Sequence, residues 1–260
     1  RFRAEAAGLL ITETDPQARR FLAMIESAAA RVPAQPPRTF YEGLAALWFL
    51  REATASLEGI GISVIGHPDR QLIELYRADL QAGRLTPDEA ADLVARWLFP
   101  TDIKCRVWER DWPETSTCLM LGGCDETGKT VWNELTRLFI ETHHRLGLIN
   151  PKLNCRVSPD SPQDYLELLA SVNLAGHNHL ALINDRVLVA ANVRQGKTEA
   201  EARLYVNGGC QETMCEGVEH SAGAYYYFNL MKILEFCLKS HRPIYPWLEN
   251  EAAAVIPGPL

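Results

Sequence analysis

The chain has 260 residues, 47% of them hydrophobic and 23% charged, with 26 basic against 33 acidic side chains and a formal net charge of −7. That length allows one large domain or two small ones around an ordinary core, and the acidic balance, with no run of Lys and Arg, argues against nucleic acid or anionic membrane as partners. No stretch approaches the roughly 20 apolar residues of a membrane span, and the opening RFRAEAAGLLITETD is not built like a signal peptide, so the expected location is cytoplasmic.

In chain order, the Pro-rich VPAQPPRT is the nearest thing to a linker. Thr39 followed by Glu42 predicts the start of a buried helix over FYEGLAALWFLREATASL, and Thr86 with Pro87 and Glu89 predicts another over PDEAADLVARWLF. Thr117 to Leu121 reads as a strand, VWNELTRLFIE as a helix and Leu153 to Val157 as a strand. Ser161, Pro162 and Asp164 predict a helix over PQDYLELLASVNL; Leu180 to Ile183 is a third strand, and Thr198 with Glu201 opens a short helix ending near Tyr205. Strands alternating with helices predict an α/β architecture with function on the loops beyond strand ends. The start at Arg1 and the end at PGPL lead to the expectation of one continuous piece, 1–260, of a larger domain.

Seven cysteines, at 105, 118, 124, 155, 210, 215 and 237, form no CxxC pair and read as free thiols, with 105, 118, 155 and 237 expected in the core. In GGCQET two glycines permit a tight path that would present Cys210 at a loop tip, and Glu212, two residues on, faces the same way if the segment is extended. A thiol beside a carboxylate suits abstraction of an atom followed by departure of a group with proton help; the plainer alternative is a turn with a buried thiol. His177 and His179 in GHNHL share one side of a strand but lack a third ligand, which favours a pocket-lining role over a metal. Tyr225 to Tyr227 follow the cysteine loop as either a helix entry or a pocket wall. The letters G-x4-G-K-T fit Gly123 to Thr130, which makes a phosphate loop, and so a nucleotide-binding module, the rival reading.

VPAQPPRTFYEGLAALWFL, DLQAGRLTPDEAADLVARWLF, LMLGGCDETGKTVWNELTRLFIE, LINDRVLVAANVRQGKTEAEARLYVNGGCQE and YFNLMKILEFCL together resemble, in the same order, the pyruvate formate-lyase-like domain of the glycyl radical enzymes. The resemblance implies a ten-stranded α/β barrel, of which this chain is part, with Cys210 as the residue that becomes a thiyl radical and Glu212 as the general acid or base. It makes LGGxDExG an ordinary strand-to-helix connection. Gly209, where pyruvate-cleaving members carry a second cysteine, argues against that reaction. Elimination from a diol or amino alcohol is the expected activity, with radical decarboxylation of an arylacetate or a degenerate scaffold as alternatives. The radical is expected on a C-terminal glycine outside these residues, installed by an activating enzyme that itself holds the S-adenosylmethionine and iron–sulfur cluster, with no metal bound here. The 260 residues alone are expected to be inactive. A homodimer and a small-molecule substrate are implied, and Thr213 in place of the usual proline leaves His177, His179, Tyr225 and Tyr227 as candidates for an altered substrate pocket.

Overall fold

The computed structural model describes residues 1–58, 64–107, 117–176, 180–208, 212–219 and 230–238. Two compact units divide the chain, Arg1–Ser221 and Ala222–Leu260. The first contains α1 (Phe2–Thr12), α2 (Pro16–Arg31), α3 (Phe40–Glu58), α4 (Pro68–Gln71), α5 (Ile73–Gln81), α6 (Pro87–Val107), β1 (Cys118–Gly122), α7 (Glu134–Leu146), β2 (Lys152–Val157), α8 (Gln163–Leu174), β3 (Leu180–Asn184), α9 (Asp185–Arg194), α10 (Glu199–Arg203), β4 (Tyr205–Asn207) and β5 (Thr213–Cys215). In the second, the described residues form α11 (Leu230–Leu238), on which Cys237 is exposed rather than packed as expected.

Local capping sets several of these boundaries. At α6 the Thr86 hydroxyl accepts from Glu89 N at 3.2 Å while Thr86 N donates to the Glu89 carboxylate at 3.0 Å, and Thr198 with Glu201 repeats the reciprocal pair at α10. Such a pair satisfies two backbone donors that a helix start otherwise leaves open. Ser161 does not cap α8. Its hydroxyl turns back to accept from Ser158 N at 2.9 Å, Pro162 takes the N-cap position, and Asp164 is drawn away to Trp132 Nε1 and Arg137.

β1, β2 and β3 form a parallel sheet in that order, with Leu119 opposite Leu153 and Leu153 opposite Leu180. Residues 64–66 run parallel along the free side of β1, through Ile65 N to Cys118 O at 2.9 Å and Met120 N to Gly66 O at 2.8 Å. The two-residue period divides the sheet between two cores. Leu119, Leu121, Leu153, Cys155 and Leu180 face the helices and join Phe40, Leu44, Leu98, Leu135, Phe139 and Ile140. Each large side chain removed from water there contributes about 1.5–3 kcal/mol. Met120, Ala181 and Ile183 face the other way, where they meet Tyr205, Val206 and Met214 of the antiparallel β4–β5 hairpin.

Asp69, fully buried, ties α4 to this frame by accepting from Gly122 N and the Thr136 hydroxyl, each at 2.8 Å. Gly122 and Gly123 leave β1 with φ of 71° and 75°, and a Cβ on either would run into Tyr165 or Arg156 respectively, so both positions require glycine. Among the described residues no helix is long and apolar enough to cross a membrane.

Candidate active site

In parallel sheets the chain ends of the strands are where binding and chemistry collect. Here the last residues of the strands and the segments that follow them supply His67 after 64–66, Cys124 after β1, Arg156 within the end of β2 and Asp185 after β3, and Arg156 lies on the hairpin side of the sheet. Arg156 is fully buried. Its Nε donates to Asp185 Oδ1 at 2.6 Å, one Nη donates to His67 Nε2 and to the Cys124 carbonyl at 3.3 Å each, and the guanidinium lies 4.4 Å from the centre of the Tyr205 ring. The half-buried Cys124 thiol sits 3.6 Å from Asp185 Oδ2, and burial first, then Asp185, pushes its pKa up, so it is a protonated thiol at neutral pH. Because a guanidinium only donates, His67 Nε2 must accept, and the ring proton sits on Nδ1, 2.9 Å from Glu216 Oε2. Burial lowers the His67 pKa against the opposing pull of Glu216, so the ring stays neutral. For Glu216 burial acts in the raising direction, and the bonds and charges of His67 and Arg70 outweigh it to hold the carboxyl below its ordinary value.

The cysteine hairpin rests on this cluster. Tyr205, Val206 and Asn207 pair with Cys215, Met214 and Thr213, and Gly208 N donates to Glu212 O at 2.8 Å across the mouth of the turn. Cys210 lies between these two bonded residues, at 209–211, outside the described residues. Glu212 is half-buried, and its carboxylate folds back over Gly208, where an added Cβ would stand 3.7 Å from Oε2. His177, His179, Tyr225 and Tyr227 also lie outside the described residues. Among the described residues no group of three or more His, Cys, Asp or Glu side chains is arranged to hold a metal.

The phosphate-loop letters of Gly123 to Thr130 do not form a phosphate loop. Thr127 N and Lys129 N both donate to Asp125 Oδ1 at 2.9 Å, Gly128 N to Asp125 O at 3.0 Å, and Asp125 N to Lys129 O at 2.9 Å. The amides a phosphate would need are consumed, a carboxylate occupies the anion's place, and α7 begins only at Glu134. Calorimetric titration of the full-length protein with ATP is expected to be flat, and equally flat for Lys129→Ala. Saturable binding that the substitution removes would reinstate the nucleotide reading.

The model of the family described as pyruvate formate lyase-like matches residues 1–244. The chain belongs to that family. As a pyruvate formate lyase-like chain it is 31% identical over 245 residues to isethionate sulfite-lyase of Nitratidesulfovibrio vulgaris, an alignment covering 90% of this chain and 29% of that protein. It is 27% identical over 251 residues to trans-4-hydroxy-L-proline dehydratase of Clostridioides difficile, covering 92% and 31%. A solved glycyl radical enzyme from Archaeoglobus fulgidus superposes with a TM-score of 0.76 at 28% identity, over 83% of this chain and 29% of that one. The pyruvate formate lyase-like chain therefore spans about 30% of the length of these relatives.

His67, Arg156, Asp185, Tyr205 and Glu216 were not singled out in the sequence. Arg156 carried the one usable signal, a charge in the middle of the apolar strand LNCRV. A fully buried cation requires a partner.

Proposed function

We propose that the full-length protein is a glycyl radical lyase in which these residues form part of a ten-stranded α/β barrel and Cys210 is the group that attacks substrate. The Cys210 thiyl takes a hydrogen atom from a substrate C–H, forming S–H and a carbon radical. The neighbouring C–X bond breaks with X taking the bonding pair. Glu212 carries to X the proton lost by the hydroxyl or amino group on the radical carbon, so that HX and a neutral product radical form, and that radical recovers a hydrogen atom from the Cys210 S–H. A glycyl radical stored outside these residues supplies the initial oxidising equivalent, installed by a radical S-adenosylmethionine activating enzyme. The same reading takes the protein as a cytoplasmic homodimer acting on a hydroxylated small molecule, a diol or amino alcohol, with His177, His179, Tyr225 and Tyr227 lining the substrate pocket.

The observation that supports this proposal is the bond between Gly208 N and Glu212 O, which holds together the two described segments that flank 209–211. Relatives named as dehydratases of trans-4-hydroxy-L-proline and (2S)-3-sulfopropanediol favour elimination. The test is anaerobic activation of the full-length protein, detection of the glycyl radical doublet by electron paramagnetic resonance, and a substrate panel. That panel comprises trans-4-hydroxy-L-proline, (2S)-3-sulfopropanediol, 1,2-propanediol, glycerol, isethionate and 4-hydroxyphenylacetate. A doublet with turnover of a hydroxylated compound is the expected result; no doublet under any activation condition would sink the mechanism, and decarboxylation of 4-hydroxyphenylacetate alone would replace elimination. Glu212→Gln is expected to lower kcat by roughly 10²–10⁴-fold, the usual size of a general acid–base contribution, with the radical yield unchanged.

A further inference from the structure

Glu216 is the first residue after β5, and three side chains from the segment leaving strand residues 64–66 converge on its carboxylate. Oε2 accepts from Arg70 at 2.6 Å and from His67 Nδ1 at 2.9 Å, and Oε1 accepts from Gln71 at 2.5 Å. Room for the carboxylate depends on Gly66, whose φ is 88° and where an added Cβ would come within 2.6 Å of Glu216 Oε1. Glu216 N also donates to Leu204 O at 3.0 Å, closing the base of the hairpin beside Tyr205, the residue on which Arg156 stacks. A run of charge and hydrogen bond thus leads from Glu216 through neutral His67 and Arg156 to Asp185, joining the hairpin to the ends of 64–66, β2 and β3.

We propose that Glu216 is a positioning residue, a clasp at the base of the β4–β5 hairpin that fixes where its 209–211 tip stands. The role in catalysis rests on the reading of Cys210 as the reacting thiol. Residues 212–215 separate the clasp from the tip, about 16 Å at about 3.3 Å per residue. A rotation of about 4° at the base therefore moves the tip by about 1 Å, a displacement that costs on the order of 10²-fold in rate. Aliphatic contacts of Val206 and Met214 resist such rotation only weakly, since apolar packing has no direction, whereas three donors on one carboxylate define an angle.

The test uses the activated full-length protein as wild type, Glu216→Gln, Glu216→Asp and Cys210→Ser. Amide hydrogen exchange over 204–216 reads the hairpin without needing a substrate, exchange over β1 and β2 checks that the variant is folded, and the radical doublet checks activation. Glu216→Gln is expected to lower hairpin protection about tenfold or more while leaving β1 and β2 protected. On the panel compound that wild type consumes, kcat falls roughly 10–100-fold with KM changed less than about threefold, and Glu216→Asp recovers part of the loss. Wild-type protection and kcat in Glu216→Gln, with Cys210→Ser inactive, would overturn the clasp alone. Full activity in Cys210→Ser would overturn the catalytic reading and the positioning role with it. Glu216→Gln that loses protection while keeping kcat would likewise end the claim that the clasp serves catalysis.

Discussion

Full-length protein carrying Cys210→Ser is expected to lose turnover by at least about 10⁴-fold while its glycyl radical doublet forms as in wild type. Loss on that scale follows when the reaction path runs through one atom, because neighbouring groups cannot substitute for it. A serine O–H bond is far harder to break homolytically than a thiol S–H, so the hydroxyl neither takes the radical from storage nor returns hydrogen to product. The substitution is nearly isosteric, and the bond from Gly208 N to Glu212 O and the stacking of Arg156 on Tyr205 are made by other residues. Activated samples assayed in parallel for doublet intensity and product separate this outcome from failed activation. Retained turnover would show that another residue abstracts the hydrogen.

Arg156→Leu is expected to destabilise the fold by about 3–5 kcal/mol, measured as the shift in chemical unfolding of the full-length protein. The arginine side chain is fully shielded and its Asp185 partner nearly so, at 0% and 6% exposed. Removing the guanidinium leaves Asp185 a buried carboxylate with no cation, takes the donor from His67 Nε2 and empties the space over Tyr205. Replacing both members, as Arg156→Met with Asp185→Leu, is expected to cost much less than the single change, because no uncompensated charge remains. Equal losses in the single and double variants would mean that packing, not charge, makes Arg156 necessary.

Much of the local architecture was legible because its causes are local. Thr86 with Glu89 and Thr198 with Glu201 place their helices through partners three residues apart, and the runs at Thr117–Leu121, Leu153–Val157 and Leu180–Ile183 match β1, β2 and β3 closely. Ser161 misled because its hydroxyl found a nearer backbone donor in Ser158. β5 went unseen: Thr213, Met214 and Cys215 are too few to show alternation, and their strand character comes from pairing with β4. At Gly123 to Thr130 the letters alone allowed a phosphate loop, while the family resemblance made the stretch an ordinary connection; the aspartate within the loop decides its shape in that second sense. The cluster around Glu216 was the least legible, since His67 and Glu216 stand 149 residues apart and neither has a distinctive neighbour in sequence.

The order of strands in space, 64–66, β1, β2, β3, is also their order along the chain, and the hairpin that rests on them comes later still. During synthesis, which proceeds from the N-terminus at about 5–20 residues per second, each strand can therefore dock on an edge already made. By the time β4 and β5 leave the ribosome, their seat on Met120, Ala181 and Ile183 and their anchor at His67 and Arg70 have already been translated. The hairpin is thus added to strands already made, and no edge of the sheet has to reopen to seat it.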